Sequence, residues 1–197
     1  SLAPAEAVVA IDATPLVVAG SPTSVAGGVT FNGVGVPDLP VTLEFAATGT
    51  EDWQALQVAN TAADGSVAFA VVLPGSGRIR LTTPAVGGIA ASQSGAFEVL
   101  VGATVTARVK TKKVGSRDRI RVRAIVRPAQ AGQKVVLQVL KKGTWRKVKV
   151  ARTNAKGRVT IKARAQKAKK RWTYRVVSRR AGGIAAGVSQ EFTIRVR

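Results

Sequence analysis

The chain carries two copies of one unit, and this repeat constrains its fold more than any other feature of the sequence. The segment from Trp53 to Val67 aligns with the segment from Trp145 to Val159, and both end in Thr-x-Ala-x-Gly-x-Val. The motif Gly-Gly-Ile-Ala-Ala at residues 87–91 recurs at residues 182–186. Each copy has the size of a small domain, roughly 100 residues. We therefore expect two domains with a common fold, residues 1–102 and residues 103–197.

Short alternating runs separated by turn residues predict that each copy folds as an antiparallel β-sandwich. In residues 119–127 apolar residues alternate with arginines, as in a strand with one buried face. Asp64-Gly65 and Lys156-Gly157 have the composition of hairpin turns. The strands predicted for the second copy are 104–110, 119–127, 134–140, 145–153, 158–164, 171–179 and 189–197.

The start of the chain bears on where the protein works. Residues 1–20 are apolar and less regular, and they predict either a split first strand or an arm that pairs elsewhere. Ser1-Leu2-Ala3-Pro4 resembles a mature end left after signal-peptide removal, and an artificial boundary is the equally open alternative. The chain has no Met and no run of 18 apolar residues. We expect a bacterial protein that is secreted or held at the cell surface.

The repeated pattern resembles the tandem immunoglobulin-like repeats of secreted and cell-surface actinobacterial proteins. The resemblance rests on a Trp that opens a strand, the Thr-x-Ala-x-Gly-x-Val motif, a late Arg-containing strand and the Gly-Gly-Ile-Ala-Ala turn. It implies an all-β chain of two tandem immunoglobulin-like sandwiches that serve as stalks, spacers, wall-associated or adhesive modules. It transfers no catalytic residue. Tyr174 lies where a tyrosine corner would, but its counterpart in the first copy is Ile79.

The residue types narrow the chemistry that the chain can perform. Without His or Cys, the common general bases, thiol nucleophiles and zinc ligands are missing. Glu51 and Asp52 are adjacent acids and could suggest a glycosidase pair or a calcium site, but neighbouring residues of a strand point to opposite faces. Asp64 corresponds to Lys156 in the second copy, which indicates a turn residue. We expect no catalytic residue, no metal site and no cofactor.

The tryptophans allow two interpretations. Trp53, Trp145 and Trp172 could form a platform on which sugars stack. Trp53 and Trp145 occupy equivalent positions of the repeat, which favours a structural role packing over the sandwich. Trp172 shares a strand face with Tyr174 and Val176, so a core role is favoured for it as well.

Charge is divided unequally between the two copies. Residues 1–100 contain two basic and eight acidic side chains, a net charge of −6. Residues 101–197 contain 29 Lys and Arg against Asp118 and Glu191, a net charge of +27. Like charges on facing strand positions are unfavourable, and such an excess strains a domain unless anions neutralise it. We therefore expect an acidic first domain and a strongly basic second domain that binds an anionic cell-wall polymer or another polyanion.

Outward-facing basic residues of the second copy are the predicted binding residues. Candidate ligands are teichoic-type wall polymers, acidic polysaccharides and nucleic acid, which would be held through its phosphates. No DNA-reading motif is present, so nucleic acid is possible but not favoured. The predicted residues are Arg119, Arg121, Arg123, Arg146, Lys147, Lys149, Arg158, Lys162, Arg164, Lys167, Lys169, Lys170, Arg171, Arg179 and Arg180.

These features together favour a non-enzymatic extracellular structural or adhesive subunit. Its basic domain would anchor on an anionic surface, and contact between acidic and basic domains of successive subunits could assemble a filament or array head to tail. One alternative is a monomeric module that binds polyanions or nucleic acid. Another is an accessory domain of a larger wall hydrolase, which the full gene would reveal.

Overall fold

The computed structural model describes residues 5–116, 118–167 and 169–197, and for residue 5 the backbone alone. These residues form strands, turns and loops, and none of them lies in a helix. The described part of the chain accordingly offers no helix of the length and hydropathy needed to cross a membrane. The chain divides into two compact units, residues 1–101 and residues 102–197. The segment 1–4, compared above with a mature end, lies outside the described residues.

The first unit is a β-sandwich whose final strand ends one residue beyond the unit boundary. Its strands are β1 (Ala5–Glu6), β2 (Val8–Ala13), β3 (Leu16–Val18), β4 (Thr23–Phe31), β5 (Val34–Gly35), β6 (Pro40–Ala47), β7 (Gln54–Asn60), β8 (Ser66–Val71), β9 (Gly77–Thr83), β10 (Ile89–Ala90), β11 (Ser92–Gln93) and β12 (Phe97–Gly102). One sheet joins β2, β4, β5 and β8, and the other has the order β3-β12-β9-β6-β7 with β11 beside β9.

The first strand of this unit is split between the two sheets. Strand β2 pairs with β4 along its whole length, whereas β3 lies beside β12 in the opposite sheet. This arrangement confirms the prediction of a split first strand. The alternative prediction, an arm that pairs elsewhere, is wrong for Val8–Ala13 because the backbone groups of these residues already bond within their own unit.

The second unit repeats this arrangement with fewer short strands. Its strands are β13 (Thr104–Val109), β14 (Lys113–Val114), β15 (Arg119–Arg127), β16 (Lys134–Lys141), β17 (Thr144–Arg152), β18 (Arg158–Arg164), β19 (Arg171–Ser178) and β20 (Phe192–Val196). A three-stranded sheet has the order β13-β15-β18, and a five-stranded sheet has the order β14-β20-β19-β16-β17. All seven predicted strands are present, and β14 is an additional strand that had not been predicted.

Both units have an immunoglobulin-like topology. The first, second and fifth long strands form one sheet, and the remaining long strands form the other, as in immunoglobulin sandwiches. The chain is therefore all-β, with two tandem immunoglobulin-like β-sandwiches, as the sequence predicts. The likeness extends to irregularities, since a register shift between Leu43 and Glu44 recurs between Leu137 and Gln138.

The two predicted hairpin turns connect strands of opposite sheets instead. Strand β7 belongs to the five-stranded path and β8 pairs with β4, so the turn at Asp64-Gly65 crosses between the layers. Gly65 adopts a φ of 80°, and a Cβ there would approach the Val29 carbonyl oxygen to 2.4 Å. The glycine is thus required by close packing between backbones. Gly157 has the equivalent place in the second unit, where it accepts a bond from the Val126 N–H.

The core of the second unit is centred on Tyr174. This side chain is fully buried and stacks on Phe192 with ring centroids 6.0 Å apart. Burial raises the pKa of the Tyr174 hydroxyl, and Gln166 opposes that shift. Ile79 occupies the same position in the first unit. Tyr174 pairs with Phe192 of its unit's last strand, and Ile79 pairs with the corresponding Phe97.

Candidate functional site

All fifteen basic residues that the sequence singles out are exposed, but the structure separates them into groups. Three lie on β17, four lie at or just before the start of β19, and two follow the end of β19. The remaining six share one surface, the outer face of the three-stranded sheet β13-β15-β18. These six are Arg119, Arg121, Arg123, Arg158, Lys162 and Arg164.

Two more arginines belong to this surface and were missed by the sequence analysis. Arg108 of β13 pairs directly with Arg123, and Arg127 ends the outward series of β15. Both positions follow the alternation of their predicted strands, so the pattern could have found them. We call the eight residues together the basic face: Arg108, Arg119, Arg121, Arg123, Arg127, Arg158, Lys162 and Arg164.

Strand register places cations of the basic face opposite each other. Directly opposed residues of an antiparallel pair have Cβ atoms about 5 Å apart, so like charges there repel. Two pairs between β15 and β18 do not oppose cations, because Arg123 faces Thr160 and Arg158 faces Ile125. The three rows of facing cations are Arg119–Arg164, Arg121–Lys162 and Arg123–Arg108.

The second unit has two acidic side chains, Asp118 and Glu191, and neither pairs with a cation among the described residues. Its described side chains form no ion pair, and Asp118 accepts a hydrogen bond from the Gly115 N–H at 2.6 Å. In the first unit, by contrast, each of the two arginines pairs with a glutamate. The basic face therefore holds its positive charge without neutralisation from within its own unit, and an external anion would relieve the repulsion.

The same face of the first unit carries small neutral residues. Val29 and Val126 mark equivalent positions, since each donates its N–H to the glycine of the inter-sheet turn. When the two units are aligned on these valines, Asp12 occupies the position of Arg108. The charge at this position is therefore reversed. The first unit's pairs Ser24–Ala70, Ala26–Ala68 and Gly28–Ser66 correspond to the pairs Arg121–Lys162, Arg123–Thr160 and Ile125–Arg158 of the second unit. The basic face is thus a feature of one copy and not of the shared fold.

The repeat tryptophans are covered by arginines. The Arg80 guanidinium lies 4.1 Å from the centroid of Trp53, and its Nε donates to Glu44 at 2.7 Å. In the second unit Arg175 lies 4.2 Å from the centroid of Trp145. This arginine is held by Gln138 at 2.8 Å, where the first unit has Glu44.

Each repeat tryptophan therefore packs one ring face against a cation of its own sheet. This contact supports the structural interpretation of Trp53 and Trp145 over a sugar platform. Trp172 is half-buried and packs against the core that contains Tyr174, with Lys170 Nζ 4.3 Å from its centroid. Trp172 was predicted to have a core role, and its packing at the margin of that core confirms this prediction.

Replacing Gln138 by Glu should stabilise the second unit. The change reproduces the first unit's partly buried Glu44–Arg80 pair and adds an anion to a strongly positive domain. We expect a gain of about 0.5–1 kcal/mol, which corresponds to about 2–6 °C in the thermal midpoint of a domain of this size. Thermal unfolding at low salt measures the effect. Glu44→Gln in the first unit is the matched control and should lower its stability; a Gln138→Glu variant no more stable than wild type would contradict the prediction.

The candidate carboxylates are not arranged for acid–base work. Arg78 donates to Glu51 at 2.6 Å, and this contact lowers the pKa of the Glu51 carboxyl. A general acid requires the opposite shift, so Glu51 is suited to an ion pair. Asp64 accepts from the Ser66 N–H and hydroxyl, as a turn residue does. Among the residues that the structure describes, no three acidic side chains come together as metal ligands.

Comparisons with known proteins do not assign the chain to a family. No protein-family model and no curated protein matches the sequence. The D0-D1 domain of intimin is similar at 14% identity and a TM-score of 0.35, over 95% of this chain and 97% of that one. A tetra-tandem repeat in the extending region of a large adhesion protein is similar at 11% identity and a TM-score of 0.40, over 95% of this chain and 49% of that one.

Salmonella α-2-macroglobulin is similar at 11% identity and a TM-score of 0.45, over 100% of this chain and 17% of that one. This chain therefore spans less than a fifth of that protein. Identities and TM-scores at this level carry no argument about function. The fold assignment rests on the strand order and pairing described above.

Proposed function

We propose that the chain is a non-enzymatic structural or adhesive module of the bacterial cell surface, whose basic second domain binds an anionic polymer of the envelope. The observation that carries the proposal is the basic face, with three rows of facing cations and no ion pair among the described residues of its unit. Such repulsion destabilises an isolated domain. A bound polyanion relieves the repulsion, and this relief contributes to the free energy of binding.

The first domain supplies a contrast within the same chain. Its equivalent face carries Asp12 and no basic residue, and its two arginines are already paired, so it has no comparable site for an anionic polymer. This division of labour suits a module with one binding domain and one spacer domain. The absence of His and Cys from the sequence, together with the ion-paired state of Glu51, supports a non-enzymatic role. Head-to-tail assembly into filaments stays a prediction from the charge split.

Binding to isolated bacterial cell walls tests this proposal. We expect the purified chain to sediment with walls that retain their phosphodiester polymers, because these polymers present a dense array of fixed anions. Extraction of those polymers should release most of the protein into the supernatant, and soluble polyphosphate should compete. A chain that stays in the supernatant with intact walls at about 0.1 M salt, where screening is moderate, would contradict the proposal.

A further inference from the structure

We infer that the basic face binds an extended polyol phosphodiester with three-carbon spacers, laid along β15 with one phosphate at each of the five outward positions of that strand. This inference rests on the proposed function and specifies its ligand and its site. The site extends along the whole of β15. The outward positions of β15 run from Arg119 to Arg127. Each of them has a cation, either on β15 itself or at the facing position of β18. The fourth position, Ile125, takes its cation from Arg158.

The outward positions of β15 have the spacing of a phosphodiester with three-carbon spacers. Consecutive outward residues of a strand are about 6.7 Å apart, and two residues contain six backbone bonds. A glycerol phosphate repeat also contains six backbone bonds from one phosphorus to the next, so its extended length is about the same. Five successive phosphates can therefore lie in register with the five outward positions of β15. A five-carbon spacer adds two bonds to each repeat and loses this register.

The number and type of cations in a row favour phosphodiesters over carboxylates. Seven of the eight residues of the basic face are arginines, which form paired hydrogen bonds to anionic oxygens. The two non-bridging oxygens of a phosphodiester point apart, so one phosphate can accept from Arg121 and Lys162 at the same time. A carboxylate presents its two oxygens in one plane, and a single arginine fork satisfies it. Rows of two cations therefore suit phosphodiesters.

The composition of the three strands distinguishes this ligand from nucleic acid, whose backbone also has six bonds per repeat. Proteins hold single-stranded nucleic acid largely by stacking its bases on aromatic side chains. Strands β13, β15 and β18 contain no aromatic residue. Between the charged rows the face offers Thr106, Ile125 and Thr160, a shallow surface suited to a short polyol spacer. A polymer without bases is the ligand that this face fits.

The repeat itself supplies a fold-compatible test variant. The triple variant R121S/R123A/K162A gives the basic face the first unit's residues Ser24, Ala26 and Ala70. The control K147A/R152N/R180A removes the same number of charges away from this sheet and uses the first unit's Ala55, Asn60 and Ala85. Both variants are made in the full chain. Their thermal midpoints check folding, and that of the basic-face variant should be equal to wild type or higher because facing cations are removed.

The experiment measures binding of the three proteins to poly(glycerol phosphate), poly(ribitol phosphate), polyglutamate and single-stranded oligonucleotides with equal numbers of anionic groups. We expect poly(glycerol phosphate) to bind wild type most tightly. At about 0.1 M salt the basic-face variant should bind it about 10- to 100-fold more weakly, and the control should change less than about threefold.

Other outcomes overturn the inference in distinguishable ways. An equal or larger loss in the control would move the site away from the basic face. Equal or tighter binding of oligonucleotides, polyglutamate or the ribitol polymer would remove the assigned ligand chemistry while leaving the proposed function in place. Wild-type protein that binds none of the polymers would overturn the proposed function as well.

Discussion

Raising the salt concentration from about 0.05 M to about 0.5 M should weaken binding of the full chain to poly(glycerol phosphate) by about 10³-fold or more. Each phosphate neutralised on a flexible single chain contributes a slope of about −0.7 to the plot of log affinity against log salt. Five phosphates bound along β15 therefore predict a slope of about −3.5. Titration of the polymer into wild-type protein over a salt series measures this slope.

The basic-face variant R121S/R123A/K162A should show a shallower slope, about −2 to −3, since it loses one row entirely and half of another. The control K147A/R152N/R180A should keep the wild-type slope. A slope near zero would show that bound phosphates do not replace counterions on these rows, and would refute the charge-based mechanism.

Local pattern was enough to predict most of the fold. In residues 119–127 the alternation correctly placed Ile120 and Val122 in the core and the arginines outside, because one buried face imposes a period of two. The pattern did not show which sheet a strand joins. Asp64-Gly65 has hairpin composition, yet the strands around it separate into opposite layers, since sheet membership depends on distant partners. The two-residue strand β14 is too short to show any period.

Most residues of the basic face were predicted to point outward, but their arrangement was not predicted. Counting outward cations singled out fifteen residues with equal weight, and strand register shows that six of them, with Arg108 and Arg127, form one face. Register between β15 and β18 joins residues about 33 to 45 positions apart, so local sequence cannot state that Arg121 faces Lys162. The covering of Trp145 by Arg175 escaped prediction for the same reason, because these residues lie on different strands of the folded sheet.

Replacing Tyr174 by Ala should destabilise the second unit by about 3–5 kcal/mol, the usual cost of removing a buried aromatic ring. Tyr174 is fully buried against Phe192, so the remaining side chains cannot fill the cavity without moving the central strand β19. Urea unfolding followed by circular dichroism measures the loss. Tyr174→Phe keeps the ring and should cost far less. Ile79→Ala is the matched change in the first unit and should destabilise that unit instead.

The same variant tests whether binding depends on folded rows or on charge alone. Tyr174→Ala keeps every cation of the chain, so urea that unfolds its second unit leaves the charge at +27 while separating β13, β15 and β18. Under those conditions the variant should lose its preference for poly(glycerol phosphate) over oligonucleotides, whereas wild type and Ile79→Ala should keep it. If the unfolded variant retained the preference, charge density and not strand register would select the ligand. If the unfolded variant lost the preference, the selectivity for poly(glycerol phosphate) would depend on the spacing that the folded sheet imposes on its arginines.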